Sequence, residues 1–139
     1  MSPADDFKGK LFAPPMDKAS IYIHRHEFYR TGHTFPVLIN GIQVGQNGPG
    51  TYLLVEVPRG RYAIASHTQE NSTQVTVDAE VGKNYFVWQE AKMGIMTGSR
   101  TELHIVDEQI GRAAVLDSKR SKLMLPTENI PLLASPKQY

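Results

Sequence analysis

The chain has 139 residues, with 15 Lys+Arg against 14 Asp+Glu, 40% hydrophobic residues, 9 Pro, 11 Gly and no Cys, a composition ordinary for one domain and long enough to bury a core without metal or disulfide staples. A formal charge of +1 argues against a nucleic-acid binder, which needs a basic face, and no run of about 18 apolar residues is present, which excludes a membrane-spanning helix. Without Cys there is no disulfide, thiol nucleophile or zinc knuckle, and the compartment stays open.

Residues 1–19 hold Pro3, Gly9, Pro14 and Pro15 without a sustained period and are expected to form a flexible N-terminal tether. From residue 20 the period becomes two, the signature of half-buried strands. Residues 20–26 place Ile21 and Ile23 on one face and Tyr22, His24 and His26 on the other. Residues 35–39 lead into Asn40-Gly41 and then 42–44, and Asn-Gly is a strong hairpin signal because both turn positions need positive φ. Residues 51–57 alternate Leu53, Val55 and Val57 inward, Pro58-Arg59-Gly60 turns the chain, and 61–67 return with Tyr62 and Ile64 toward the core. Residues 72–79 set Val75, Val77 and Ala79 on one side. After Val81-Gly82-Lys83, residues 84–90 are apolar on both faces and predict a central strand. Residues 102–107 close the set with Leu103 and Ile105, and Asp107 caps a helix through Ile110, Ala113, Ala114 and Leu116. Gly111 weakens that helix by about 1 kcal/mol relative to Ala. Seven to eight mostly antiparallel strands with one C-terminal helix predict a single β-sandwich over residues 20–118. Residues 119–139, with Pro126, Pro131 and Pro136, read as a tail whose Leu123, Leu125, Ile130, Leu132 and Leu133 give it something to dock with.

The strings KASIYIHR, INGIQVG, GTYLLVEVPRGRYAIAS and VTVDAEVGKNYFVWQEAKMG resemble a family of small bacterial lipoproteins catalogued only as a domain of unknown function. More distantly they resemble the PEGA-type β-sandwich modules of bacterial envelopes. The resemblance covers about residues 18–118 and rests on Arg25 at the end of the first strand, the Asn40-Gly41, Pro58-Arg59-Gly60 and Gly82-Lys83-Asn84-Tyr85 turns, and Lys92-Met93-Gly94. Several of these are turn chemistry, which speaks to fold more than function. The resemblance implies a signal peptide ending in a lipidated Cys. This chain shows neither, and it is expected to be the mature portion of such a lipoprotein, held at the periplasmic face of a bacterial membrane, in the first instance the outer membrane. A cytosolic protein with a frayed start is the alternative.

Catalytic patterns are absent from the sequence. Glu27, Glu56, Glu90 and Glu102 fall on outward phases, and Ser66 and His67 point to opposite faces of one strand. Gly-x-Ser-x-Gly and P-loop motifs are missing, and Gly41, Gly45, Gly48 and Gly50 belong to a hairpin loop. His24 and His26 share a strand face and are the metal-ligand candidates, with His33, His67 or His104 as a third group, although no convergence can be read from the sequence. The segment from Lys92 to Arg100 carries Met93, Ile95 and Met96 between cations, next to Trp88. It reads either as a plug for the open end of the sandwich or as an adaptable binding loop. Asn71-Ser72-Thr73 reads as a turn, and Lys119-Arg120-Ser121-Lys122 as a solvated helix end or a patch for an anionic membrane.

The expectation is therefore a non-enzymatic, envelope-associated binding or structural module without a cofactor. Its binding residues are Trp88, Lys92, Met93, Ile95, Met96 and Arg100, its partner is an envelope protein or polymer, and it meets the membrane only through the missing lipid anchor. The alternatives are an inhibitor or immunity-type lipoprotein blocking one protein partner, and a metal-binding protein using His24 and His26.

Overall fold

A computed structural model describes residues 1–25, 33–93 and 99–125, with Met93 described by its backbone alone. Among the described residues the chain is mainly β, with nine strands in two sheets and two helices. In chain order these are α1 (Pro3–Gly9), β1 (Ala19–Arg25), β2 (Phe35–Ile39), β3 (Ile42–Asn47), β4 (Thr51–Val57), β5 (Gly60–His67), β6 (Ser72–Ala79), β7 (Asn84–Met93), β8 (Ser99–Val106), α2 (Glu108–Leu116) and β9 (Lys119–Arg120). One sheet has the order β8-β7-β1-β4-β9 and the other β3-β2-β5-β6. Their facing sides share one core, including Ile21, Ile23, Leu53, Val55 and Val87 from the first and Val37, Ile39, Tyr62, Ile64 and Val77 from the second, which fits a sandwich. Each fully buried aliphatic side chain there contributes roughly 1.5–3 kcal/mol relative to exposure.

The local turn chemistry follows the sequence. Asn40 (φ 51) and Gly41 (φ 85) both take the positive φ that the two-residue hairpin demands. Asp107 accepts from the Ile110 backbone N–H at 2.8 Å and starts α2. β7 lies between β8 and β1, inside its sheet.

Several features differ from the expectation. The ninth strand, β9, pairs parallel with β4 through only two residues, too few to show a period. β1 also pairs parallel with β7. Within the expected tether, Ser2 caps α1 by accepting from Asp5 N at 3.1 Å, with Pro3 opening the helix. The segment then docks on the sheet: Gly9 O accepts from Tyr22 Oη at 2.6 Å, and Phe12 is buried against Tyr22 and Phe86 with ring centroids 5.3 and 5.9 Å away. Phe12 adopts φ 53 to do so.

That docking, together with α2, builds a second core on the outer face of the first sheet, formed by Phe12, Tyr22, Tyr52, Leu54, Phe86 and Val115. All seven residues of β1 are consequently buried. His24, expected to face outward, is fully buried in register between Tyr52 of β4 and Trp88 of β7. Gly111 has its reason in this layer, since a Cβ built there would overlap the Phe86 ring.

Side chains and a stretch of tail close both flanks of the two sheets. Asn71 Oδ1 accepts from Thr101 N at 3.1 Å, Asn71 Nδ2 donates to Thr101 O at 2.7 Å, and Thr73 Oγ1 accepts from Leu103 N at 3.2 Å, so the start of β6 satisfies the outer edge of β8. On the opposite flank Ser121 N donates to Tyr52 O at 2.8 Å and Met124 N to Val44 O at 2.7 Å, while Leu123 and Leu125 pack on the main core. Covered edges do not template pairing with other chains. The remaining tail residues, Pro126, Ile130, Pro131, Leu132, Leu133 and Pro136, lie outside the described residues.

Two outcomes follow from the outer layer. Gly111→Ala should lower stability by about 1–3 kcal/mol through overpacking despite the higher helix propensity of Ala, read as a drop in the urea midpoint that Phe86→Leu partly recovers. Asp6 is the second case. Burial pushes its carboxyl upward, but hydrogen bonds from Tyr52 Oη at 2.8 Å, Lys10 Nζ at 3.2 Å and Arg120 N at 3.2 Å hold it below the usual 3.8. A depressed folded value means a contribution complete above about pH 4 and lost as pH falls through that value. The acid-side slope of the unfolding midpoint should be shallower in Asp6→Asn than in the parent.

Candidate functional site

β7 and β8 form an antiparallel pair in which Trp88 faces His104, Glu90 faces Glu102 and Lys92 faces Arg100. The period of two sends Gln89, Ala91, Thr101 and Leu103 into the interior, where all are buried. The six even-numbered residues therefore share the outer face of the sheet. This face is continuous with Tyr22, Phe86 and Tyr52, which α2 and the N-terminal segment cover. Beyond that cover, Trp88, Glu90, Arg100 and His104 are half-buried and Lys92 is exposed.

Two carboxylates directly opposite each other, and two cations beside them, are unfavourable pairings, and diagonal contacts relieve them. Lys92 Nζ lies 2.7 Å from Glu102 Oε1, His104 Nε2 lies 2.8 Å from Glu90 Oε1, and Arg100 reaches Glu70 at 3.8 Å. The hydrogen bond from Lys92, and then its charge, hold the Glu102 carboxyl below the usual carboxylate range, and the same bond raises Lys92. Both side chains are in water, so this pairing organises the face rather than stabilising the fold. The Trp88 and His104 rings lie 5.0 Å apart, tilted by 34°. Glu90, Glu102 and His104 bring one donor atom each to within 4.8 Å of one another. Beside them a cleft of about 330 Å³ opens between Asn71, Thr73, Lys92, Arg100 and Glu102.

Three expected binding residues, Trp88, Lys92 and Arg100, thus fall on one face. Met93 ends β7 in register with Ser99, and Ile95 and Met96 lie outside the described residues, as do His26 and Glu27. Of the metal candidates of the sequence, His24 is enclosed between the neighbouring strands and His26 lies outside the described residues; among the described residues the convergent donors are two carboxylates that had read as solvent-facing charges and a histidine named only as a third group.

At the end of the sandwich the sequence reading missed a buried polar network that crosses both sheets. Gln89 Nε2 donates to Ser66 Oγ at 2.8 Å and Pro36 O at 3.1 Å, and Gln89 Oε1 accepts from Asn47 Nδ2 at 3.0 Å. Asn47 Nδ2 also donates to Ile23 O at 3.1 Å, and Thr51 Oγ1 donates to Asn47 Oδ1 at 3.0 Å. Arg25, fully buried, stacks 4.4 Å from the Phe35 ring centre and donates to His33 O at 2.6 Å and Asn47 O at 3.2 Å. Alongside lies a cleft of about 400 Å³ lined by His33, Thr34, Phe35, His67, Thr68, Gln69 and Ser99, in which Ser99 Oγ and His33 Nδ1 are 3.2 Å apart. Ser66 is occupied inside the network, while His67 is exposed on the other side of its strand. The only cue to this network in the sequence was polar residues on inward phases of strands, Ser66 and Gln89 among them.

The family described as "Protein of unknown function (DUF2846)" matches residues 15–100, more than half of the chain. An "Uncharacterized protein" of Haemophilus influenzae (strain ATCC 51907 / DSM 11121 / KW20 / Rd) is similar, with 24% identity over 103 residues, covering 74% of this chain. The chain spans 61% of that relative's length. No solved structure matches with significance.

Network and outer face should respond oppositely to substitution. Gln89→Leu takes one acceptor from Asn47 Nδ2, which keeps Ile23 O, and the donor from Ser66 Oγ, which keeps Pro36 O, and should cost about 1–3 kcal/mol, whereas Lys92→Ala should leave the urea midpoint unchanged within error.

Proposed function

The chain belongs to the DUF2846 family of proteins of unknown function, and from that premise we propose that it is a non-enzymatic binding or structural module of a bacterial envelope lipoprotein. In this reading a β-sandwich akin to PEGA-type modules is tethered by a lipid anchor at the periplasmic face of a membrane, in the first instance the outer membrane. It offers the outer face of β7 and β8, with the adjoining end of the sandwich, to one envelope protein or polymer.

The observation that carries this reading is the uneven cover of one sheet face. Among the described residues, α2 and the N-terminal segment close the aromatic half, while in the other half Lys92 is exposed and Trp88, Glu90, Arg100, Glu102 and His104 are partly exposed on a strand pair fixed by a full ladder. An aromatic ring at one end of the strip, an arginine at the other and paired charges between them make up the composition of recognition surfaces, where Trp and Arg anchor and charges select. A rigid sheet also binds with little ordering cost.

The test uses the full-length protein in its native host, with a photo-crosslinking residue at Lys92 and, as a control, at Thr76 on the second sheet. One dominant envelope component captured from position 92, absent from position 76 and lost when Arg100→Glu is added, is the expected result. Capture of a single secreted enzyme would turn the reading to an inhibitor. Equal capture from both positions, or internal crosslinks alone, would remove this face from the function. Metabolic labelling with a tagged fatty acid checks the anchor, and a protein that takes up no label refutes it.

A further inference from the structure

We propose that Glu90, Glu102 and His104 form a surface site for one divalent transition-metal ion of the zinc type. The donor atoms lie within 4.8 Å of one another. Three ligands about 2.0–2.2 Å from one tetrahedral ion lie roughly 3.3–3.6 Å apart, so the widest separation has to shrink by about an ångström while His104 Nε2 and Glu90 Oε1, now 2.8 Å apart, open by roughly half an ångström, shifts that rotation of partly exposed side chains supplies. One imidazole and two carboxylates suit Zn²⁺ and its neighbours, whereas Mg²⁺ and Ca²⁺ prefer oxygen alone and Cu⁺ prefers sulfur.

The strands preorganise the arrangement. Glu90 and Glu102 are direct cross-strand partners, and His104 follows Glu102 by two positions on the same face. The contact with Trp88, ring centres 5.0 Å apart, restrains the imidazole. At present the Lys92 ammonium lies on Glu102 and the His104 ring contacts Glu90. An ion placed among the three donors takes the place of both contacts: it removes the repulsion between the carboxylates, replaces the His104–Glu90 contact with two metal bonds, and releases Lys92 into water. With three protein ligands the fourth position stays open, for water or for a donor from another molecule. The inference goes beyond the partner-binding reading and does not depend on it, since metal binding is a property of the purified chain alone.

Trp88 is the single tryptophan of the chain and sits against the proposed ligand His104, so its emission reports directly on the site. The full chain is titrated with Co²⁺ while Trp88 fluorescence is followed, Zn²⁺ is then added as a competitor, and Zn²⁺ binding is measured separately by calorimetry. Saturable quenching at one ion per chain, reversed by Zn²⁺, is expected. His104→Ala and Glu90→Gln should abolish both the quenching and the calorimetric signal, with circular dichroism verifying that each variant is folded. Asp78→Asn, on the second sheet, should behave as the parent. Quenching that never saturates, or calorimetric binding that survives in His104→Ala, would overturn the site.

Discussion

A sheet that is apolar on both faces has to be covered on both, and β1 imposes that condition on this molecule. Its seven residues are buried from end to end, with Ile21 and Ile23 turned to the second sheet and Tyr22 to the outer layer. β1 lies in the centre of its sheet, antiparallel to β4 and parallel to β7. The parallel pairing cannot be made by a hairpin and requires a long crossover. The chain supplies it by passing through β2 to β6 before β7 is added, so most contacts along β1 join residues far apart in sequence. Once β1 is in place, the outer aromatic face calls for α2 and the docked N-terminal segment. Gly9 and Gly111 mark where that layer approaches closest, Gly9 against Tyr52 and Gly111 against Phe86.

The same condition delimits the candidate site. Among the described residues, the cover extends over Tyr22, Phe86 and Leu54, while the strip that carries the charged residues of β7 and β8 is partly exposed. Residues on that strip need not satisfy a core and are free to be selected for charge. Cross-strand pairing of like charges is unfavourable, and the strip contains two such pairs side by side. The diagonal contacts of Lys92 with Glu102 and of His104 with Glu90 answer this locally and hold the polar side chains in fixed relation. Beneath the strip, Gln89 and Asn47 tie the two sheets together by hydrogen bonds that apolar residues could not make, which fixes one register of the sheets at that end.

Much of the fold was legible because its signals are local. Asn40-Gly41, Pro58-Arg59-Gly60 and Gly82 announce turns through their own backbone preferences, Asp107 announces α2, and the doubly apolar run from Tyr85 to Trp88 announces an interior strand. The N-terminal helix had a signal of the same kind, Ser2 and Pro3 ahead of Asp5 and Asp6, outweighed by the lack of an apolar period over seven residues. Exposed Phe7 and buried Gly9 explain that lack, because the helix meets the sheet through Gly9 and through polar contacts of Asp5 and Asp6 with Tyr52 and Arg120 rather than through an apolar stripe. The candidate site was half legible. Trp88, Lys92 and Arg100 were picked for their types, whereas Glu90 and Glu102 read as solubility charges because nothing in a strand's alternation says which strand lies opposite.

What the sequence determined by itself is what φ preferences, capping and a period of two can encode: the turns, eight of the strands, the second helix, and which residues of most strands face the core. What only the tertiary structure decided is everything that depends on strand order. Burial of His24, the meeting of Ser99 with His33, the clasp of Asn71 on β8 and the convergence of Glu90, Glu102 and His104 all join segments whose distance in sequence bears no relation to their distance in space. Alternation fixes the face to which a side chain points, but strand order and register fix what it meets there, and these are set by the combined packing of both sheets.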